Sequence, residues 1–167
     1  MRLRQYIPEQ DSQEICEWVN TDERVFALWC ANRFEYPLTP ERFHSELQKL
    51  RMDWKDETFV VENDMHEIVG FIDYAFNSRE EGFIKFVLVS PQHRGKGIGS
   101  EMIKLIIDYA RNISKAKACV LNVFSINKQA IECYRKLGFI EVSETPNVFS
   151  YKDELWGRIS MRYELPL

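Results

Sequence analysis

Three glycines alternate with lysine and isoleucine at positions 95–99, directly after the apolar run Val87–Val89 and ahead of a segment whose apolar residues fall at helical spacing. A strand that passes through such a turn into a helix leaves successive backbone N–H groups pointing outward at the helix start, and glycine lets a ligand approach them closely. The chemistry on offer along Arg94, Gly95, Lys96, Gly97, Ile98, Gly99 and Ser100 is the binding of an anion, above all a phosphate. The spacing is neither GxxxxGK[ST] nor GxGxxG, which argues against a kinase-type phosphate loop and a dinucleotide fold. A softened start to an ordinary helix is the alternative this stretch alone leaves open.

A second constellation lies further along. Asn127, Ala130 and Tyr134 stand at i, i+3 and i+7 in a segment that stops at Gly138-Phe139. One helix face therefore presents an amide, a small residue and a phenol together. Taken alone, Ala130, Ile131, Tyr134 and Leu137 read rather as a buried stripe.

The elements that must position these residues follow from periodicity. Residues 2–7 read as a strand. Asp11 and Glu14, at capping-box spacing, predict a helix near 12–20 carrying Ile15, Trp18 and Val19. Residues 24–36 hold Phe26, Leu28, Trp29, Phe34 and Tyr36 at a spacing compatible with a short helix, and Thr39-Pro40 opens a further helix over 40–51. Runs at 57–63, 67–76 and 83–89 predict three consecutive antiparallel strands. Ile98, Met102, Leu105, Ile106 and Tyr109 predict a helix to about Asn112. A strand at 117–124, a helix at 127–137 and strands at 139–144 and 156–164 complete the order. The fold class expected is α/β: a single domain over 1–167 with a mixed, mainly antiparallel sheet flanked by helices on both faces.

Composition narrows the function. A chain of 167 residues with 45% apolar content is sized for one domain, and its net charge of −4 argues against a nucleic-acid binder. No run approaches a membrane span and the N-terminus lacks a signal-peptide core, so a cytoplasmic location is expected. Cys16, Cys30, Cys119 and Cys133 form no CxxC pair and read as reduced thiols, while His44, His66 and His93 lie apart, so no metal is expected.

Together the two constellations resemble the GNAT superfamily of acyl-CoA N-acyltransferases. Arg94–Gly99 meets the first six positions of its [QR]xxGxG[GA] pattern, and Asn127, Ala130, Tyr134, Lys136, Gly138 and Phe139 meet its NxxAxxxYxKxGF pattern in full. The resemblance covers roughly residues 57–145. It implies acetyl-CoA as cosubstrate, with the pyrophosphate on the N–H groups of residues 94–99 and charge added by Lys96. The pantetheine arm would pair like an extra strand beside Leu88 and Val89, within reach of Asn127. It also implies that the Val89 N–H stabilises the oxyanion formed when an amine attacks the thioester, and that Tyr134 protonates the departing thiolate. A phenol of pKa about 10 is near enough to a thiol's roughly 8.5 to serve.

At the base the chain departs from the family's pattern. Relatives that acetylate a ribosomal protein's N-terminal alanine place a glutamate where this chain has Asn122, and an amide cannot accept a proton. Asp73 and Glu81 are weak substitutes; Asp73 reads rather as the cross-strand partner of Lys85, and His93 as a solvent-facing loop residue. The family's acceptor side would be built here from Trp29, Phe34, Glu35 and Tyr36 and from a loop over 147–154. Aromatics with scattered acids suit a cationic amine, although Trp29 and Phe34 read better as packing. The expected activity is direct acetyl transfer, in a ternary complex, to a primary amine of a small molecule or peptide, without nucleic acid or membrane as partner. A non-catalytic acyl-CoA sensor is the alternative, and an exposed edge strand would suit a homodimer.

Overall fold

Eight of the nine residues of Ile68–Phe76 are buried, the pattern of a strand covered on both faces. The computed structural model describes residues 1–166 and places this strand, β3, inside a seven-stranded sheet. The elements in chain order are β1 (Arg2–Gln5), α1 (Pro8–Asn20), α2 (Glu23–Cys30), α3 (Pro40–Trp54), β2 (Glu57–Glu62), β3, β4 (Glu81–Val89), α4 (Ile98–Tyr109), β5 (Ala118–Phe124), α5 (Lys128–Lys136), β6 (Ile140–Tyr151) and β7 (Glu154–Glu164). The spatial order is β1-β2-β3-β4-β5-β7-β6. Every neighbouring pair is antiparallel except β4 and β5, so the expected α/β, mainly antiparallel sheet is what forms.

Strand alternation sorts the side chains into two cores. Phe59, Val61, Ile72, Tyr74 and Leu121 pack under α4 and α5 with Ile103, Ile106 and Ile131. Val60, Phe71 and Leu88 pack under α1–α3 with Ile15, Val19, Phe26, Phe43 and Leu47. Helices thus cover both faces, as expected.

Several boundaries differ from the sequence reading, each for a physical reason. Helix α1 begins a turn earlier, because Pro8 takes a first-turn position where its missing N–H is no loss. Asp11 is then not the cap: it is buried, accepts from the Ile7 N–H at 2.6 Å and pairs with Arg4 at 2.7 Å. Helix α2 stops at Cys30, and α3 runs on to Trp54, where Lys55 in the left-handed region ends it. The largest difference is at the C-terminal end. The loop expected over 147–154 is instead the tip of a long hairpin, with β6 and β7 paired out to Tyr151↔Glu154 and an irregularity between Thr145 and Phe149.

Candidate active site

The parallel pairing of β4 with β5 covers only Glu81–Ile84 against Ala118–Leu121. Beyond it β4 stays with β3 as far as Val89 while β5 stays with β7 as far as Phe124, so the sheet opens into a wedge. A bulge accompanies the split. From Asp73↔Lys85 to Phe71↔Leu88, β4 advances one residue more than β3, and Phe86 adopts φ +48°. The Phe86 carbonyl accepts from the Trp29 indole N–H at 2.8 Å.

The backbone of β4 beyond the bulge serves two sides. Ser90 N–H bonds the Val69 carbonyl, so by antiparallel alternation Leu88 directs its peptide groups to β3 and Val87 and Val89 direct theirs into the wedge. The Val89 carbonyl takes a 3.2 Å hydrogen bond from the Arg94 Nε–H. Leu88 itself is buried on the far face. The outward-facing pair is therefore Val87 and Val89, a distinction that needs the pairing register and is invisible in the sequence.

Just past the wedge lies the glycine turn. Gly97 is the N-cap of α4 at φ +80°, a conformation that L side chains rarely adopt. It has no side chain with which to cap, and the first intrahelical bond is Glu101 N–H to Gly97 C=O at 3.2 Å. The N–H groups of Ile98, Gly99 and Ser100 are thus orphaned at the positive end of a 12-residue helix. Val89, loop residues 94, 95 and 97–100, Asn127 and Tyr134 line one cleft of about 400 Å³. Lys96 is exposed and lies outside that lining. His93 does line it, half-buried and bonded through Nδ1 to Ser90 Oγ at 2.6 Å, and so is not the solvent-facing residue expected.

Helix α5 supplies the other wall. Asn127 is its N-cap, with Oδ1 accepting from the Ala130 N–H at 3.2 Å. At the far end Phe139 N–H bonds the Tyr134 carbonyl and Gly138 N–H bonds that of Arg135, with Gly138 at φ +99°. This Schellman termination explains the Gly-Phe of the motif: glycine supplies the left-handed turn, and Phe139 folds back to 5.9 Å from the Tyr134 ring. Burial pushes the Tyr134 phenol well above its ordinary pKa, with the neighbouring Cys133 adding to the rise. The ring stays protonated at neutral pH and borders two cavities. The second cavity, of about 340 Å³, fills the wedge and joins the first at Val87, Asn127, Ala130 and Tyr134.

The proposed bases lie elsewhere. Glu81 sits at the closed end of the wedge, bonded to Asn77 and Arg162, which hold its carboxyl below the usual range. Asp73 is buried between Thr58 (2.8 Å) and Lys85 (3.3 Å), the cross-strand pair that the sequence suggests. Burial raises its pKa far above an ordinary carboxylate, Lys85 opposes that rise, and Asp56 adds to it. Asn122 does reach the wedge, where its Oδ1 accepts from Ser160 Oγ at 2.7 Å. No aspartate or glutamate lines either cavity.

On the acceptor side, Phe34 is buried and Trp29 is packed among Phe26, Phe34, Phe43, Phe71 and Phe86, although an edge of Trp29 borders the wedge. Glu35 pairs with Arg42 and the Tyr36 hydroxyl donates to the Asn20 carbonyl. Glu154 is held by Arg24, which stacks on Tyr151 and Trp156. Sequence reasoning missed Lys85 and Arg158 as wedge residues; the parity of their strands was legible, but where the sheet opens was not.

Among the described residues no cluster of His, Cys, Asp or Glu could hold a metal ion, and no helix is long and apolar enough to cross a membrane.

A sheet split beside a backbone phosphate cradle, with a protonated tyrosine between the two halves, is the arrangement of an acyl-CoA-dependent transferase. The profile of the acetyltransferase (GNAT) family matches residues 12–139, and the chain belongs to that family, as an N-acetyltransferase that draws its acetyl group from acetyl-CoA. It is 22% identical over 125 residues to spermidine N(1)-acetyltransferase of Vibrio cholerae, covering 74% of this chain and 70% of that one. Its similarity to the Escherichia coli K12 protein of the same name is 30% over 110 residues, 65% of this chain and 59% of the other. The match thus spans about three fifths of the E. coli protein's length. In fold, the chain superimposes on the V. cholerae enzyme solved with CoA and spermine with a TM-score of 0.83 at 22% identity, covering 97% and 94% of the two chains. A ribosomal-protein-alanine N-acetyltransferase from Brucella melitensis gives 0.79 at 22% identity, covering 99% and 100%.

Proposed function

We propose that residues 1–167 act as one N-acetyltransferase domain that acetylates a primary amine of a small molecule or peptide, cofactor and acceptor meeting in the β4–β5 wedge. The observation that carries this reading is the position of Tyr134 on the common border of the two cavities. In this reading the orphaned N–H groups of Ile98, Gly99 and Ser100, with Arg94 and Gly95, receive the pyrophosphate. The pantetheine arm runs along the outward backbone of Val87 and Val89, near Asn127. The amine attacks the thioester carbonyl, whose oxyanion the Val89 N–H stabilises. The acceptor's ammonium gives one proton to solvent before it attacks; as the C–S bond breaks, the Tyr134 hydroxyl gives its proton to the thiolate and recovers one from the nitrogen, and the amide keeps the last N–H. Lys96 adds long-range charge only, in keeping with its exposure.

Polyamines come first among acceptors to try, in view of the relatives named for spermidine, and peptides with free N-termini second. The long outer edge of β6, with Ile140 and Val142 exposed, offers a strand on which a second copy could pair. A cytoplasmic location fits a reduced set of thiols. The test is CoA thiol release from acetyl-CoA across an amine panel, with Tyr134→Phe alongside. Amine-dependent release that falls about 10²–10⁴-fold in the variant, with acetyl-CoA still bound, is the expected outcome. Cofactor binding without release for any amine would instead identify an acyl-CoA sensor.

A further inference from the structure

The acceptor half of the wedge is lined by two cations and no anion: Lys85 and Arg158. Lys85 is spoken for, its ammonium held between the buried carboxylates of Asp56 and Asp73. Arg158 is not. Among the described residues it forms no ion pair and no side-chain hydrogen bond, whereas nearby Arg162 is held by Glu81 and Glu164 and Arg24 by Glu154. On β7 it stands opposite Phe124 of β5, two residues from Ser160, which bonds Asn122. Arg158, Ser160 and Asn122 therefore share one sheet face, and of them Arg158 and Asn122 line the wedge, a guanidinium beside a neutral hydrogen-bonding group. The acids nearest in sequence terms to this side, Glu35 and Glu154, are engaged with Arg42 and Arg24. Such a lining does not select a polycation, because each extra ammonium would face an unopposed positive charge with nothing to pair it.

We infer that the acceptor is an amine that also carries an anionic oxygen group, a carboxylate or a phosphate, and that Arg158 is the residue that selects it. This rests on the assignment of the wedge as the acceptor half of the site. A guanidinium offers a planar fork of donors that matches either anion. The amine end then points inward to the thioester beside Tyr134, and the anionic end stays at the exposed mouth with Arg158.

The experiment is a set of matched acceptors: ω-amino acids, ω-aminoalkyl phosphates and diamines of equal length, with spermidine included, assayed by thiol release with wild type, Arg158→Gln and Arg158→Glu. Arg158 is exposed, so both substitutions leave the core untouched. Wild type is expected to favour the anionic member of each pair by at least about tenfold in kcat/KM. Arg158→Gln should lose that preference through KM with kcat little changed, and Arg158→Glu should turn it toward the diamines. The carboxylate and phosphate series separate the two sources of the anion. A wild-type preference for diamines or spermidine, or ratios that the Arg158 variants leave unchanged, would overturn the inference while leaving the acetyltransferase reading intact. Release with no member of any series, acetyl-CoA being bound, would overturn both.

Discussion

Tyr134 and Asp73 show how differently burial acts on two ionisable groups in one sheet. The phenol is an acid that burial keeps protonated, and it borders the cleft. The carboxylate is also raised by burial, but it borders neither cavity. Among the described residues no aspartate or glutamate lines the cleft, so solvent is the expected acceptor of the ammonium proton. The acidic limb of kcat/KM should therefore move with the acceptor's own pKa when amines of different basicity are compared, and Asp73→Asn should leave it in place. A limb that stays fixed across acceptors would point to a protein base. Asp73 should show itself in stability instead. Its unfolded carboxyl ionises near ~3.9 and its folded one well above that, so the stability linked to its proton is complete below about pH 4 and is withdrawn as the pH climbs through the folded value. Thermal melts over that range should fall with rising pH in wild type and fall less in Asp73→Asn.

At the scale of elements, the two motifs were legible because each is local. The glycine turn and the Asn127–Phe139 helix carry their reasons within a dozen residues: an N-cap, a left-handed glycine, a face of small and polar side chains. The same locality makes them testable. Gly97→Ala places a side chain at φ +80° where space is free but the backbone is strained, and should cost about 1 kcal/mol together with a weaker acetyl-CoA complex. Gly138→Ala meets both a positive φ and the Tyr163 ring at 3.1 Å, so it should cost more than Gly97→Ala in chemical denaturation; equal losses would remove the packing half of that argument. What the sequence hid was long-range. The Phe86 bulge depends on the register between β3 and β4, and the end of β4–β5 pairing on strands about 37 residues apart, as in Glu81↔Ala118. The hairpin arm was concealed by Pro146 and Asn147, which read as a loop but sit at an irregularity that the partner strand tolerates.

Over the whole molecule, the ties between distant parts converge on the acceptor side. Arg24 of α2 grips Glu154 and stacks on Tyr151 and Trp156, and Lys152 reaches Glu23, so the hairpin tip is pinned to the helix whose end borders the wedge. These pairs are exposed and screened by salt, so their contribution is to geometry more than to stability. Arg24→Met should raise the acceptor KM and speed amide exchange over 147–156 with little change in melting temperature; a large drop in melting temperature would assign the contact to stability.

Four rungs of parallel pairing are all that join β1–β4 to β5–β7 within the sheet. Seen as a mechanical part, this is a short weld between two plates, with an unfinished strand edge at Val87 and Val89 waiting beside it. A cosubstrate whose arm completes that edge is a suture as well as a reagent. At a hundredfold excess over Kd, acetyl-CoA should add about 2.7 kcal/mol of stability, roughly 5–10 °C in a chain of this size, and its protection against amide exchange should concentrate at 85–89 and 122–124. On the proposed placement of the arm, each turnover would loosen the weld when CoA departs, and the enzyme's resting rigidity would be set by how much acyl-CoA surrounds it.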